Sequence, residues 1–121
     1  MVKILVVDDE EILRMLIRDT LEDMGYEIDE AEDGQDALQK LARESYDVML
    51  LDYMMPNLTG IEVIERLPQQ TKEQLTIIML TAKSQESDKQ RVLDKGVDYF
   101  MSKPFSPMKL AELVEEALYA E

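Results

Sequence analysis

The sequence contains no cysteine and no histidine. Without cysteine there are no disulfides, no thiol redox chemistry and no thiolate metal sites; without histidine the commonest transition-metal ligand and general base is missing. Any metal must therefore be held by oxygen. Glycine and proline are scarce too, four of each, and no segment is repeated or low in complexity. With 121 residues, 45% of them apolar, the chain can fill one core but hardly two, so one domain over 1–121 is expected. No run of about 18 apolar residues is present, nor a basic start followed by a short apolar segment, nor a lipidation signal, which predicts a cytoplasmic protein. Acidic residues outnumber basic ones 27 to 13, a formal charge of −14. That excess argues against direct binding to nucleic acid or an anionic membrane and leaves protein partners open.

What is present alternates between two periodicities. Residues 3–7, 48–51 and 75–80 are apolar apart from Lys3 and Thr76, without the every-second-residue pattern of a half-exposed strand, and predict strands buried on both faces of a parallel sheet. Tyr26–Glu30 does alternate, and with the short run 98–102 it reads as an edge strand. Between them lie helical patterns. Leu13, Leu16, Ile17, Leu21 and Met24 mark a helix over 10–24; Asp33-Gly34 opens another, with Ala37, Leu38, Leu41 and Ala42 as its stripe. Thr59-Gly60-Ile61-Glu62 is a capping box for a short helix ending near Pro68. Residues 84–95 offer only Val92 and Leu93 as core candidates and predict the least anchored helix. Ser106-Pro107 starts the last one, with Leu110, Leu113, Val114, Ala117 and Leu118 facing inward. Five strands and five helices imply a doubly wound parallel α/β sheet, with 3–7, 48–51 and 75–80 in its middle.

Polar residues end each central run. Asp52 closes the third strand and Pro56 blocks its continuation; Asp8-Asp9 close the first; Thr81 follows the fourth; Lys103 closes the fifth. In open α/β sheets the carboxyl edge is where ligands bind. Three carboxylates meeting there repel one another and need a divalent cation or a raised pKa. Mg²⁺ suits such a site, since it prefers one or two carboxylates with waters and phosphate oxygens. Singly, Asp8 or Asp9 reads as an ordinary helix cap and Thr81 as a strand-end residue; the combination is what points to chemistry. Thr59 reads as a cap only, and the methionines as core and loop filling.

Val6-Val7-Asp8-Asp9-Glu10, Leu51-Asp52-Tyr53-Met54-Met55-Pro56, Leu80-Thr81-Ala82-Lys83 and Lys103-Pro104-Phe105 resemble, in order and along the whole chain, the motifs of the receiver domain of bacterial two-component response regulators. The resemblance implies a flavodoxin-like (βα)5 fold with strand order 2-1-3-4-5. It implies a phosphorelay switch rather than an enzyme: Asp52 takes a phosphoryl group from a sensor histidine kinase or phosphotransfer protein, with Mg²⁺. Asp9 is then a direct metal ligand, Asp8 a ligand through water, Asp52 itself and the Met54 carbonyl further ligands, and Lys103 and Thr81 bind the phosphoryl oxygens. Thr81 and residue 100 form the switch. The family often has Tyr at the latter position, whereas Phe100 stands here and has no hydroxyl to bond. Met54 and Lys83 occupy the positions that set phosphoryl lifetime, and their bulk predicts slow loss. The expected output surface is residues 84–119, binding a downstream protein from a monomer when unphosphorylated, because Glu112, Glu115 and Glu116 disfavour a symmetric contact. A receiver cut from a longer DNA-binding or enzymatic regulator is the alternative. A small flavodoxin or phosphatase fits less well, since Met54 stands where a phosphatase of the haloacid dehalogenase type would carry its second aspartate, and Asp8-Asp9-Glu10-Glu11 where a flavodoxin would carry its phosphate loop.

Overall fold

The computed structural model describes residues 1–82, 93 and 95–119. Five strands, β1 (Lys3–Val7), β2 (Glu27–Ala31), β3 (Val48–Asp52), β4 (Thr76–Ala82) and β5 (Tyr99–Lys103), form one parallel sheet in the order β2-β1-β3-β4-β5. The three apolar runs are the central strands, as their composition suggests. Alternate residues of each run serve opposite faces. Leu5, Val7, Met49, Leu51, Ile77 and Met79 enter one core, and Ile4, Val6, Val48, Leu50, Ile78 and Leu80 the other. An every-second-residue pattern is absent because neither face meets water.

Helices cover both faces. On one side lie α1 (Glu11–Glu22), through Ile17 and Leu21, and α5 (Pro107–Tyr119), through Leu110, Val114 and Ala117; on the other lie α2 (Gly34–Arg43) and α3 (Gly60–Glu65). Sequence-coded caps are in place. Asp33 accepts from the Asp36 N–H at 2.8 Å, Ser106 from the Lys109 N–H at 3.1 Å, and both halves of the Thr59–Glu62 capping box are made. Pro68 precedes an additional short helix, α4 (Gln69–Gln74), which the apolar pattern does not predict because none of its residues is buried.

Three apolar positions read as core turn outward. Ala42 is exposed, Leu93 is 42% exposed, and Leu16 is 41% exposed beside Met15 at 54% and Ile12 at 83%. The stripe of α1 is narrower than the count of apolar residues suggests, and the surplus forms a surface patch. The helix expected over 84–95 falls, apart from Leu93 and Lys95, outside the described residues, as does Lys83. Among the described residues no helix is long and apolar enough to cross a membrane.

Candidate functional site

The register of the sheet assembles the site. Val7 pairs with Leu51, so the next residues, Asp8 and Asp52, leave adjacent strands side by side. Asp52 pairs with Leu80, placing Thr81 one step beyond it; Thr81 pairs with Ser102, placing Lys103 one step further. Beyond Asp52 the loop is held by two backbone bonds, Tyr53 N–H to the Leu80 carbonyl at 2.9 Å and Gly60 N–H to the Tyr53 carbonyl at 2.8 Å. Asn57 takes a positive φ of 72°, a conformation asparagine tolerates better than most residues. Gly60 is there for space. A Cβ at that position would stand 2.6 Å from the Asp52 carbonyl oxygen and 3.1 Å from the Met79 sulfur.

Carboxylate oxygens of Asp8, Asp9 and Asp52 lie within 4.8 Å of one another. Asp8 is fully buried and Asp52 nearly so, while Asp9 is exposed. The Lys103 ammonium sits 3.0 Å from Asp8 Oδ2, 3.3 Å from Asp52 Oδ1 and 3.7 Å from Glu10 Oε1. One cation against three clustered carboxylates leaves a net negative centre. Burial, then the neighbouring Asp8 charge, pushes the Asp52 carboxyl up to about 6, although Lys103 and a hydrogen bond from the Met54 backbone pull the other way. Burial would lower the Lys103 pKa, but the Asp8 hydrogen bond and the two carboxylate charges together outweigh it and raise it. A small, hard divalent cation fits this set. The donors are all oxygens, one of them solvent-facing, and cation binding would relieve the penalty that Asp52 carries.

Thr81 is 1% exposed, and its Oγ1 lacks a hydrogen-bond partner. Buried hydroxyls are normally bonded, so this one stands ready to donate to a group arriving at the site. Phe100 is half-buried against the core on the α2–α3 side, one residue before Met101, which enters the opposite core. Met54 is 55% exposed whereas Met55 and Tyr53 are buried, so the loop presents the Met54 side chain to solvent next to Asp52.

The structure thus brings Asp8, Asp9, Asp52 and Lys103 together with Thr81 one register step away, while Met54 follows Asp52 by two residues and Phe100 precedes Lys103 by three. Asp8 does not cap α1, whose N-cap is Glu10 without a side-chain cap bond; its Oδ1 accepts the Glu10 N–H at 2.9 Å within the loop while Oδ2 takes Lys103. Two residues reach the cluster that the sequence did not single out for it. Glu10 is one. Arg14 is the other: its guanidinium donates to the Asp8 carbonyl at 2.6 Å and to Glu30 at 3.1 Å. Its place four residues after Glu10, at the edge of the apolar stripe, was the available signal.

Residues 4–115 match the family model of the response regulator receiver domain. The chain is 47% identical over 116 residues to the alkaline phosphatase synthesis transcriptional regulatory protein PhoP of Bacillus subtilis (strain 168), covering 96% of this chain and 48% of PhoP. It is 45% identical, with the same coverage, to the transcriptional regulatory protein ResD of that organism. The chain therefore spans about half the length of these relatives. Among solved structures, the chemotaxis response regulator CheY4 of Vibrio cholerae superposes with a TM-score of 0.91 at 34% identity, over 98% of this chain and 99% of that one. The receiver domain of the Francisella response regulator 1452 superposes with a TM-score of 0.87 at 32% identity, over 98% and 97% of the two chains.

Proposed function

The chain belongs to the receiver domains of two-component response regulators, and from that premise we propose that Asp52 is its phosphoacceptor in a switch built from Asp8, Asp9, Thr81, Phe100 and Lys103. The observation that carries the assignment is the position of Asp52. It is the one clustered carboxylate that lies beside Lys103 at 3.3 Å and one register step from an unbonded buried hydroxyl. An oxygen of Asp52 attacks the phosphorus of a phosphohistidine; the O–P bond forms as the P–N bond breaks, and the imidazole leaves with the bonding pair. Above about pH 6 Asp52 is largely ionised and able to attack. Lys103 and Thr81 then meet the transferred oxygens, Lys103 with charge and Thr81 with a hydrogen bond. Asp9, Asp8, Asp52 and the Met54 carbonyl would hold Mg²⁺, which supplies charge neutralisation during transfer. As a receiver domain the chain is a signalling module, not a conventional turnover enzyme.

The donor is a protein, a sensor histidine kinase or a phosphotransfer protein, and a surface suited to it adjoins the site. Ile12, Met15 and Leu16 are exposed on α1, and a hollow of about 420 Å³ lined by Glu10, Leu13, Leu16, Lys103, Pro104 and Phe105 runs from that patch to the cluster. After transfer, Thr81 moves to bond the phosphoryl group and Phe100 turns inward, changing the face formed by β5 and α5. A protein partner reads that face from a domain that is monomeric when unphosphorylated. The half-length match to PhoP and ResD favours a second form of output, a covalently joined domain, and the reading frame around this segment decides between them.

Mg²⁺ with acetyl phosphate should add one phosphoryl group, about 80 Da by intact mass, lost in Asp52→Asn and with chelator. Full labelling of the Asn variant would place the acceptor elsewhere.

A further inference from the structure

Asp8 is held at four points. Its N–H donates to the Ala31 carbonyl at 3.2 Å, Oδ1 accepts from Glu10 at 2.9 Å and Oδ2 from Lys103 at 3.0 Å, and its carbonyl accepts from Arg14 at 2.6 Å. The last contact differs in kind. The carbonyl belongs to the peptide plane that joins Asp8 to Asp9, so whatever fixes it also fixes the direction in which Asp9 leaves the loop. Asp9 is exposed, and the loop supplies the orientation that packing does not.

Arg14 is suited to hold that plane. Its side chain is only 13% exposed, and while Nη1 meets Asp8, Nε donates to Glu30 Oε1 at 3.1 Å. Glu30 is fixed in turn: its other oxygen takes Arg18, and its carbonyl takes the Lys40 ammonium. The guanidinium fork thus spans two acceptors in fixed geometry, one on edge strand β2 and one in the β1–α1 loop.

We propose that Arg14 is a positioning residue of the metal site: anchored on Glu30, it fixes the Asp8–Asp9 peptide and so aims the Asp9 carboxylate at the position of the cation. The proposal rests on the metal-site reading given above. Two other roles make different predictions. As a distant positive charge, Arg14 would repel a cation, and its removal would tighten Mg²⁺ binding. As a brace for α1 alone, it would affect stability and leave Mg²⁺ affinity untouched.

Arg18 provides the control. It lies one turn further along the same helix and bonds Glu30, the Ile28 carbonyl and Glu22, none of them in the loop. Mg²⁺ affinity is measured by titration calorimetry, and stability by urea unfolding in chelator, for Arg14→Met, Arg14→Lys, Arg18→Met and Asp9→Asn. Arg14→Met should weaken Mg²⁺ binding by about tenfold or more, the usual effect of losing a residue that orients a metal ligand. Arg14→Lys, which reaches one acceptor at most, should fall between it and the parent. Arg18→Met, which loosens Glu30 without touching the Asp8 carbonyl, should lose stability and weaken Mg²⁺ binding clearly less than Arg14→Met does. Unchanged or tighter binding in Arg14→Met, or equal weakening in Arg18→Met, would overturn the proposal. Should Arg14→Met not fold, unchanged affinity in Arg14→Lys overturns it as well. Parent-like binding by Asp9→Asn would instead remove the metal site, and this role of Arg14 with it.

Discussion

Replacing Asp52 by Asn should stabilise the metal-free protein at neutral pH, although it removes the group proposed to do the chemistry. The carboxyl is raised from 3.8 to about 6, chiefly by burial and secondly by Asp8. A raised carboxyl pKa means that between those values the native state keeps a proton that the unfolded chain has released, so stability falls as pH rises through this window. Converted at roughly 1.4 kcal/mol per pH unit, the full effect above pH 7 is about 3 kcal/mol. Asn does not titrate, and its amide oxygen can still face Lys103 and the Met54 N–H. Those bonds lose their charge, which returns roughly 1 kcal/mol. The variant should therefore gain about 1–2 kcal/mol at about pH 7.5, several degrees in Tm for a domain of this size. Urea unfolding in chelator, followed by far-UV circular dichroism, measures both proteins across pH. The gap should open between about pH 4 and 7 and narrow when Mg²⁺ binds the parent and stabilises it by mass action. An Asn variant no more stable than the parent at neutral pH, or a gap independent of pH, would refute the argument.

Thr81→Val should leave the unphosphorylated protein as stable or up to about 1 kcal/mol more stable, because the hydroxyl it removes is buried without a partner. The same variant should lose the structural response to beryllofluoride, read by NMR; a clear fall in unfolding midpoint would show that the hydroxyl is already bonded. Gly60→Ala should cost about 1–3 kcal/mol, since the new Cβ meets the backbone oxygen of Asp52 at 2.6 Å and backbone cannot yield as a side chain can. An unchanged midpoint would contradict that contact. Ile12→Asp should slow phosphotransfer from a histidine-phosphorylated protein while leaving labelling by acetyl phosphate intact, and equal loss with both donors would move the donor surface away from α1.

The central sheet was legible because its three inner strands are apolar on both faces, a pattern that excludes a half-exposed strand, and because polar residues interrupt each run at the same end. Asp8, Asp52, Thr81 and Lys103 could be gathered from strand order alone, since parallel register carries every strand end to one edge. What failed did so where tertiary contact overrides local pattern. Leu16 matches the period of α1 but faces water, because α5 and the sheet leave room only for the line through Ile17 and Leu21. Helix α4 buries nothing and so writes no apolar signature. In sequence Arg14 is one more charge on a charged helix; its meaning depends on a carbonyl six residues back and a carboxylate sixteen residues on, a pairing that only folding creates.

The switch proposed for this domain draws its leverage from one buried hydroxyl that the unphosphorylated state leaves unbonded. A ligand can shift an equilibrium only by its differential interaction with the two states. Had the Thr81 hydroxyl been bonded beforehand, moving it to a phosphoryl oxygen would exchange one hydrogen bond for another. Because Oγ1 is buried and unbonded, nothing is given up, and a bond to a charged oxygen worth roughly 1.5–3 kcal/mol is available in full. That range corresponds to about a ten- to hundredfold change in the ratio of the two conformations. Phe100 acts in the same direction from the other side. Unlike a tyrosine it carries no hydroxyl to desolvate on turning inward, so the inward state lies closer in energy and less bias is needed to reach it. Phe100→Tyr should therefore lower the inward population before phosphorylation and widen the difference between the two states. Aromatic NMR signals at position 100, compared with and without beryllofluoride, test this, and equal inward populations in the two unphosphorylated proteins would show that the missing hydroxyl does not set the balance.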